Sequence, residues 1–322
     1  MAATNANDNH SKIAARHAQP GVVSKSPFGP DDQIGMLNLI TPQISQEILR
    51  RSDFGGLIDL SVELFPGMPS WTMGGEPPFQ ISMSHTPRGS LVDDPVKVGP
   101  KQNEFIAWSA DSVSMFTHSG THIDALNHFG YHGQIWNGFS ADEHLGSLHW
   151  RVGGADAIPP IVARGVLLDI AGTHGVDVLP DSYGIGPDDL RAAIDRQGVA
   201  IEVADVVLVR TGRGSVWPEP AAYLQREPGL TLEGAKFLAE AGVSCIGADN
   251  IAVEQLPSTD PDNWTPVHTY LLAEAGVPMI EVIDLERLAS EQLYVFGFFG
   301  ASIRIRGGTA GPMRAYALPF LQ

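Results

Sequence analysis

Apolar runs alternate with amphipathic segments along the second half of the chain, and this rhythm restricts the fold more than any other feature. The segments are in turn strand-like and helix-like, in the order 165–172, 187–198, 204–212, 231–242, 243–250, 268–276 and 277–285. Parallel strands joined by crossover helices produce such an alternation. The sequence therefore predicts an α/β fold with a single mixed sheet and crossover helices.

The composition bears on how many domains the chain contains. Hydrophobic residues make up 43% of the 322 residues, which is enough for a sizeable core, and no shift in composition divides the chain in two. Residues 1–27 are polar and contain few core-type side chains. We predict one domain over residues 28–322. Residues 1–27 form an N-terminal extension, either a flexible arm or an arm that docks on a neighbouring subunit.

The charge of the chain excludes several classes of partner. Lys and Arg number 20 against 37 Asp and Glu, a net charge of −17, whereas nucleic acids and anionic lipids both require a cationic surface. No apolar run reaches the length of a transmembrane helix, and the N-terminal residues lack the apolar stretch of a secretory signal. The single cysteine, Cys245, allows no internal disulfide. We expect a cytoplasmic protein that binds a small molecule, with no nucleic-acid or membrane partner.

Histidines are crowded into one short part of the sequence. Six of the 11 lie between His118 and His149, and the run HSGTHIDALNH spans residues 118–128. His122 and Asp124 are two residues apart, so an extended segment points both to one face. Gly120 permits a tight turn that brings His118 to the same face. Imidazole and carboxylate groups are common metal ligands, and three of them leave positions open for water or substrate. The alternative is a hydrogen-bonded loop without a metal.

Two further residues are unusual for the core positions that their segments predict. His268 begins the helix-like segment HTYLLAEAG, and Glu281 lies within the apolar run PMIEVIDL. A buried carboxylate costs several kcal/mol unless it meets a cation. Both are therefore candidate metal ligands, although Glu281 could instead pair with an arginine and His268 could make a helix-start hydrogen bond.

The histidine run resembles a family signature. HSGTHIDALNH is similar to the HxGTHxDxPxH motif of the cyclase family of metal-dependent hydrolases, which includes bacterial kynurenine formamidases and isatin hydrolases. Leu126 stands where the motif has Pro. GVLLDIAG, DVVLVRTG and IGADN resemble further family segments in the same order, so the likeness runs from about residue 30 to the C-terminus. The chain is longer than the compact formamidases and resembles the isatin-hydrolase-like branch more closely.

This resemblance implies a fold, a site and an activity. It implies the family's swivelling β/α type of domain and a homo-oligomer, a dimer or a tetramer. It implies one or two divalent ions, Mn²⁺ or Zn²⁺, with His118, His122 and Asp124 on the first. His268 and Glu281 match the ligands of a second ion, with Asp124 bridging, and His128 matches the catalytic histidine. Metal-activated water would then open an amide, a cyclic amide or a lactone of a small aromatic or cyclic substrate.

Aromatic residues near these segments are candidates for a substrate pocket. Trp71 lies in a Pro/Gly loop, where core aromatics are rare, and Phe129 and Trp136 follow the histidine run. Apolar walls with a few polar groups are usual in such pockets, although these residues could also belong to an ordinary core. Two other functions remain open on the residues alone. His122, Asp124 and His268 could form the facial triad of an Fe(II) oxygenase, or the ligands could belong to a non-catalytic metal- or ligand-binding protein.

Overall fold

The computed structural model describes residues 11–321. The strands in this range, numbered in chain order, are β1 (Ile58–Asp59), β2 (Gln80–His85), β3 (Ala110–Ser114), β4 (His122–Asp124), β5 (Gln134–Ile135), β6 (Phe139–Ser140), β7 (Ile161–Asp169), β8 (Gly184–Ile185), β9 (Val206–Arg210), β10 (Gly229–Leu230), β11 (Cys245–Ala248), β12 (Met279–Glu281), β13 (Val295–Ser302) and β14 (Ala310–Leu318). The α-helices are α1 (Pro42–Arg51), α2 (Pro87–Asp93), α3 (Pro100–Phe105), α4 (Ala141–His144), α5 (Ile170–Thr173), α6 (Pro187–Gln197), α7 (Pro220–Tyr223), α8 (Leu232–Ala241), α9 (Pro266–His268) and α10 (Glu286–Ser290). A π-helix, Thr269–Ala275, continues α9. Short 3₁₀ helices cover Ala14–His17, Gly35–Leu39, Trp136–Gly138 and Arg213–Val216.

Seven strands close into a mixed barrel in the order β14–β13–β7–β9–β11–β12–β4, because β4 pairs with both β12 and β14. β7, β9, β11 and β12 are mutually parallel, and β13, β14 and β4 are antiparallel to their neighbours. The helices between consecutive parallel strands end at Gly198, Gly242 and Gly276, each in the left-handed conformation that terminates a helix. The predicted α/β fold with a mixed sheet and crossover helices is confirmed.

Two apolar clusters cover the two faces of this sheet. Inside the barrel, side chains from all seven strands meet, among them Ile123, Leu208, Ile280 and Phe298. On the outer face, alternate residues of β7, β9 and β11 pack against α6, α8 and the segment 266–275. Strands that are buried on both sides read as continuous apolar runs, which explains the pattern seen in the sequence. Cys245 is fully buried in the inner cluster.

Residues 11–27 differ from the arm predicted for the N-terminus. Ile13 is fully buried in the outer core cluster, beside α8, together with Ala14 and Ala15. The backbone N–H of Ser24 donates to the carbonyl of Ala273, and Lys25 Nζ donates to the carbonyl of Asn137. Three apolar residues are therefore enough to anchor this polar segment on the core of the same chain. Residues 1–10 lie outside the described range, and the domain boundary at residue 27 stays a prediction.

The hairpin formed by β2, β3, α2 and α3, residues 80–114, is called the exposed hairpin. β2 and β3 pair with each other and not, within the described residues, with the barrel. Several large apolar side chains on it are exposed, namely Ile81, Met83, Leu91, Val92, Val96, Val98, Phe105, Ile106 and Val113. Exposed apolar residues in such numbers are typical of an interaction surface. Across residues 11–321, no helix has the length and apolar character needed to span a bilayer.

Candidate metal site and adjoining pocket

Strand register brings His122, Asp124 and Glu281 together. β4 lies between β12 and β14, and its antiparallel register with β12 sets Glu281 directly opposite His122. Because side chains alternate along a strand, Ile123 and Ile280 point into the barrel while the three polar residues share the outer face. His122 Nε2 lies 3.1 Å from Glu281 Oε2 and 3.4 Å from Asp124 Oδ1. All three side chains are buried.

A turn at Gly120 brings His118 to the same point, as the sequence predicts. Gly120 has φ of 60°, a left-handed conformation that glycine adopts readily, and a Cβ there would collide with Leu64. Thr121 fixes the turn, because its hydroxyl donates to the carbonyl of Val282 and accepts the N–H of Val62. As a result, His118 Nδ1 lies 2.8 Å from Asp124 Oδ1.

His268, at the end of α9, closes the cluster from the other side. Its Nε2 lies 3.3 Å from Glu281 Oε1 and 3.7 Å from Asp124 Oδ2. Its Nδ1 donates to Glu254 Oε1 at 2.5 Å, and the same oxygen accepts the backbone N–H of His268 at 3.1 Å. Glu254 is not among the residues predicted from the sequence. The sequence does contain a sign that Glu254 is buried, because this acidic residue follows an apolar run, IAV, much as Glu281 lies within one.

Each of these three imidazoles has one nitrogen held by a hydrogen bond and the other facing the cluster. His122 Nδ1 donates to the carbonyl of Gly120 at 2.8 Å, and His268 Nδ1 donates to Glu254. His118 Nε2 is hydrogen bonded to Thr309 Oγ1 at 2.9 Å. Such outer hydrogen bonds fix the tautomer and the orientation of histidines that coordinate metals. The free nitrogens are therefore His118 Nδ1, His122 Nε2 and His268 Nε2.

Several buried atoms of the cluster are unpaired. His122 Nε2, both carboxylate oxygens of Asp124 and Glu281 Oε1 have no hydrogen-bond partner among residues 11–321. These atoms lie close to one another, but the angles between them do not suit hydrogen bonds. Atoms that coordinate a common metal ion are arranged in this way. Buried polar atoms are costly to leave unsatisfied. The nitrogen and carboxylate atoms present here therefore fit a divalent metal ion.

The electrostatics of the cluster also favour a cation. Burial by itself would lower the pKa of His122, but its close contacts with the carboxylates of Asp124 and Glu281 outweigh burial and raise the pKa to about 10. Burial would raise the pKa of Asp124, but the neighbouring imidazoles of His118 and His128 hold it well below its usual range. Two carboxylates thus maintain a negative potential at this point.

His128 lies at the open side of the cluster. Its Nε2 is 3.8 Å from Asp124 Oδ2, and its side chain is 22% exposed, whereas that of Asp124 is fully buried. Burial and the neighbouring His118 and His268 lower the pKa of His128 well below its usual value, against the attraction of Asp124. A neutral imidazole at this position can accept a proton.

The candidate ligand atoms form two groups that share Asp124. The donor atoms of His118, His122 and Asp124 lie within 4.8 Å of one another, and so do those of Asp124, His128 and His268. Glu281 contacts one histidine of each group, His122 and His268, so all the ligands proposed from the sequence come together. Their roles stay predictions, and His128 is close enough to belong either to the ligand set or to the reacting groups.

An apolar pocket opens onto these histidines. It is lined by Trp71 and Phe129, two of the candidates from the sequence, together with Phe116, Ile251, Leu256 and Trp264. The pocket holds about 150 Å³, close to the volume of a cavity that accepts a single benzene ring. Glu76 also lines it. Nothing in the sequence distinguishes this residue from an ordinary exposed acidic residue in a loop.

The prediction that Trp136 binds substrate is wrong. Its side chain is 1% exposed and belongs to the outer core cluster rather than to the pocket wall. The indole Nε1 donates to Asp32 Oδ2 at 2.9 Å. The ring packs over Gly276, where a Cβ would leave no room for it. Trp136 is thus a structural residue whose polar atom is satisfied within the core.

Comparison with known proteins agrees with this fold. The Cyclase family model matches residues 58–255, and the chain belongs to the cyclase family. This confirms the resemblance carried by HSGTHIDALNH. The kynurenine formamidase of Salinibacter ruber (strain DSM 13855 / M31) is 26% identical over 260 residues, which cover 80% of this chain and 95% of that protein.

Solved structures share the same architecture. The crystal structure of a novel cyclase matches with a TM-score of 0.81 at 25% identity, covering 94% of this chain and 99% of that one. Isatin hydrolase A from Ralstonia solanacearum matches with a TM-score of 0.60 at 24% identity, covering 82% and 91% of the two chains. At that identity the second likeness shows the fold alone.

Proposed function

We propose that this protein is a metal-dependent hydrolase that opens an amide, a cyclic amide or a lactone in a small, aromatic or cyclic substrate. One observation carries the proposal: unpartnered buried nitrogen and carboxylate atoms converge at the base of an apolar pocket. Membership of the cyclase family and the similarity to a kynurenine formamidase support the choice of an amide. The volume of the pocket supports a substrate whose reacting end is no larger than about one ring.

His118, His122, Asp124, His268 and Glu281 would hold one or two divalent ions, Mn²⁺ or Zn²⁺, with Asp124 shared between the two groups. Such an ion supplies Lewis-acid activation of water and of the scissile carbonyl. Glu254, Thr309 and the carbonyl of Gly120 orient the three imidazoles through their outer nitrogens.

His128 would carry the proton in this reaction. Its position at the open side of the cluster, beside Phe129, allows its imidazole to reach both the attacking water and the leaving group. Water adds to the carbonyl carbon, His128 accepts the proton, and the imidazolium returns it to the leaving nitrogen or oxygen as the bond breaks. Trp71 and Phe129 would position the ring of the substrate.

We further propose that the protein is a homo-oligomer, a dimer or a tetramer, whose subunits meet through the exposed hairpin. The exposed apolar side chains of that hairpin, with Phe105 at 90% exposure, support a second copy of the chain as the partner.

Turnover measurements test the proposed activity. A panel of formanilides, cyclic imides and lactones is assayed with the purified protein, after chelation and after Mn²⁺ or Zn²⁺ is added back. We expect turnover of at least one amide, loss on chelation and recovery with metal. Activity that requires dioxygen would favour an Fe(II) oxygenase instead, and ligand binding without turnover of any member would favour a binding protein.

A further inference from the structure

A second cavity adjoins the pocket beside the histidines and shares a wall with it. The inner pocket holds about 150 Å³, and the outer compartment about 450 Å³. Both are lined by Trp71, Ile251, Leu256 and Trp264. The rings of Trp71 and Trp264 lie 6.4 Å apart at an angle of 30°. The two spaces are thus neighbouring compartments along one pair of indoles.

Trp264 is poorly covered by the protein itself. Its side chain is 62% exposed although it stands in the wall of both compartments. An indole exposed to this extent retains apolar area that a ligand can bury. The proposed reaction needs only the ring-sized inner pocket, so the larger outer space and the exposed indole are not explained by it.

The polar groups of the outer compartment restrict the charge of a ligand. Glu227 is 1% exposed and lies in its wall. Glu227 Oε2 accepts the backbone N–H of Ile251, while Oε1 has no hydrogen-bond partner within residues 11–321. Asp260 also lines the compartment, and Arg226 contributes one positive charge. These two charges offset each other, and burial raises the pKa of Glu227 to about 8, so its carboxyl is mostly uncharged at neutral pH. The compartment therefore carries no net charge and favours an uncharged group.

We propose that the outer compartment binds the second half of an elongated substrate. The reacting amide or ester and one ring lie in the inner pocket, and a larger, uncharged apolar group extends past Trp71 and Trp264. The substrate class is therefore a two-part amide or ester rather than a single-ring compound. This inference rests on the proposed hydrolase function for the orientation of the substrate.

Leu224 provides a selective test, because it lines the outer compartment and not the inner pocket, and its side chain is 36% exposed. The variant Leu224→Trp narrows the outer space with little risk to the fold. Leu148→Trp is the matched control, since Leu148 is 92% exposed and lines neither compartment. The two substrates are formanilide, with one ring, and 4-benzylformanilide, with a second ring in the para position.

We expect Leu224→Trp to lower kcat/KM for 4-benzylformanilide by about tenfold or more, through KM, and to leave formanilide within about twofold. Leu148→Trp should change neither. The products, 4-benzylaniline and aniline, give a second readout by calorimetry. The wild type should bind 4-benzylaniline about tenfold more tightly than aniline, and Leu224→Trp should remove that difference.

Equal effects of Leu224→Trp on both substrates, or no effect on either, would overturn the inference. So would equal binding of the two amines by the wild type. If neither formanilide is hydrolysed, the proposed function loses support, while the comparison of the two amines still decides whether the outer compartment binds a second ring.

Discussion

Glu254 Oε1 lies 2.5 Å from His268 Nδ1, which leaves Nε2 of the same ring facing Asp124 and Glu281. The carboxylate is buried and also accepts the backbone N–H of His268. It therefore fixes both the tautomer of the imidazole and the position of α9, which the π-helix continues. Its charge also raises the pKa of His268 well above the usual value, although burial opposes this.

Replacing this carboxylate should weaken metal binding without removing a ligand. We expect Glu254→Gln to lower metal affinity by about 10–100-fold, because the amide keeps the shape but not the charge that orients His268. Competition with a chromophoric chelator measures the affinity. Glu202→Gln is the control, since the Glu202 side chain is 67% exposed. An unchanged affinity in Glu254→Gln would show that the contact does not act on the metal.

Loss of His128 should separate chemistry from metal binding. We expect His128→Ala to retain near-normal metal content and to lose about 10²–10⁴-fold in kcat, because a proton shuttle acts only in the chemical step. Metal content by elemental analysis and turnover are the two readouts, with His144→Ala as the surface control. If metal is lost as completely as in His122→Ala, His128 is a ligand instead.

Ionisation of Glu227 should make stability depend on pH. Burial raises the pKa of Glu227 to about 8, with Glu281 and Asp249 adding to the effect and Arg213 opposing it. The pKa of Glu227 is higher in the folded chain than in the unfolded one, so the protonated carboxyl stabilises the folded state. This stabilisation is fully present below about pH 4.3. It is lost as pH rises through about 8. We expect the unfolding free energy of the wild type to fall by about 3 kcal/mol relative to Glu227→Gln between pH 6 and 9.

Thermal and denaturant unfolding at the two pH values check this expectation. Glu143→Gln is the control, because the Glu143 side chain is 77% exposed. Parallel pH dependence in the wild type and in Glu227→Gln would mean that Glu227 ionises normally in the folded protein.

Charge placed on the exposed hairpin should disrupt the oligomer. We expect the wild type to be larger than a monomer at micromolar concentration, and the double variant Val92→Glu/Phe105→Glu to be smaller. A buried interface does not tolerate two unpaired carboxylates. Light scattering measures the mass, and Leu148→Glu serves as the exposed control. A monomeric wild type would refute the proposed assembly.

Local patterns predicted much of the site. The spacing of His122 and Asp124 gives their shared face in a strand, and Gly120 supplies the turn that His118 needs. The pairing of Glu281 with His122 depends on the register between strands that are far apart in sequence, and the chain alone does not specify it. Glu281 was therefore found through its burial in an apolar run and through the family resemblance.

For other residues, position along the sequence did not indicate position in space. Trp136 follows the histidine run by few residues, but the chain turns through β5 and buries it over Gly276. Ile13 lies in a polar segment, yet one isoleucine and two alanines attach that segment to the core. Glu254 and Trp264 reach the site from loops, where neither helix nor strand periodicity indicates direction.

The metal content of the protein, purified without added metal, tests the central claim most directly. Elemental analysis of the wild type should find one or two equivalents of a divalent ion, Mn²⁺ or Zn²⁺, per chain. His122→Ala and Asp124→Ala should each retain only background metal and no activity, with the fold verified by circular dichroism. A wild type that neither contains nor takes up a divalent ion, or unchanged metal content in both variants, would contradict the assignment of this cluster as a metal site.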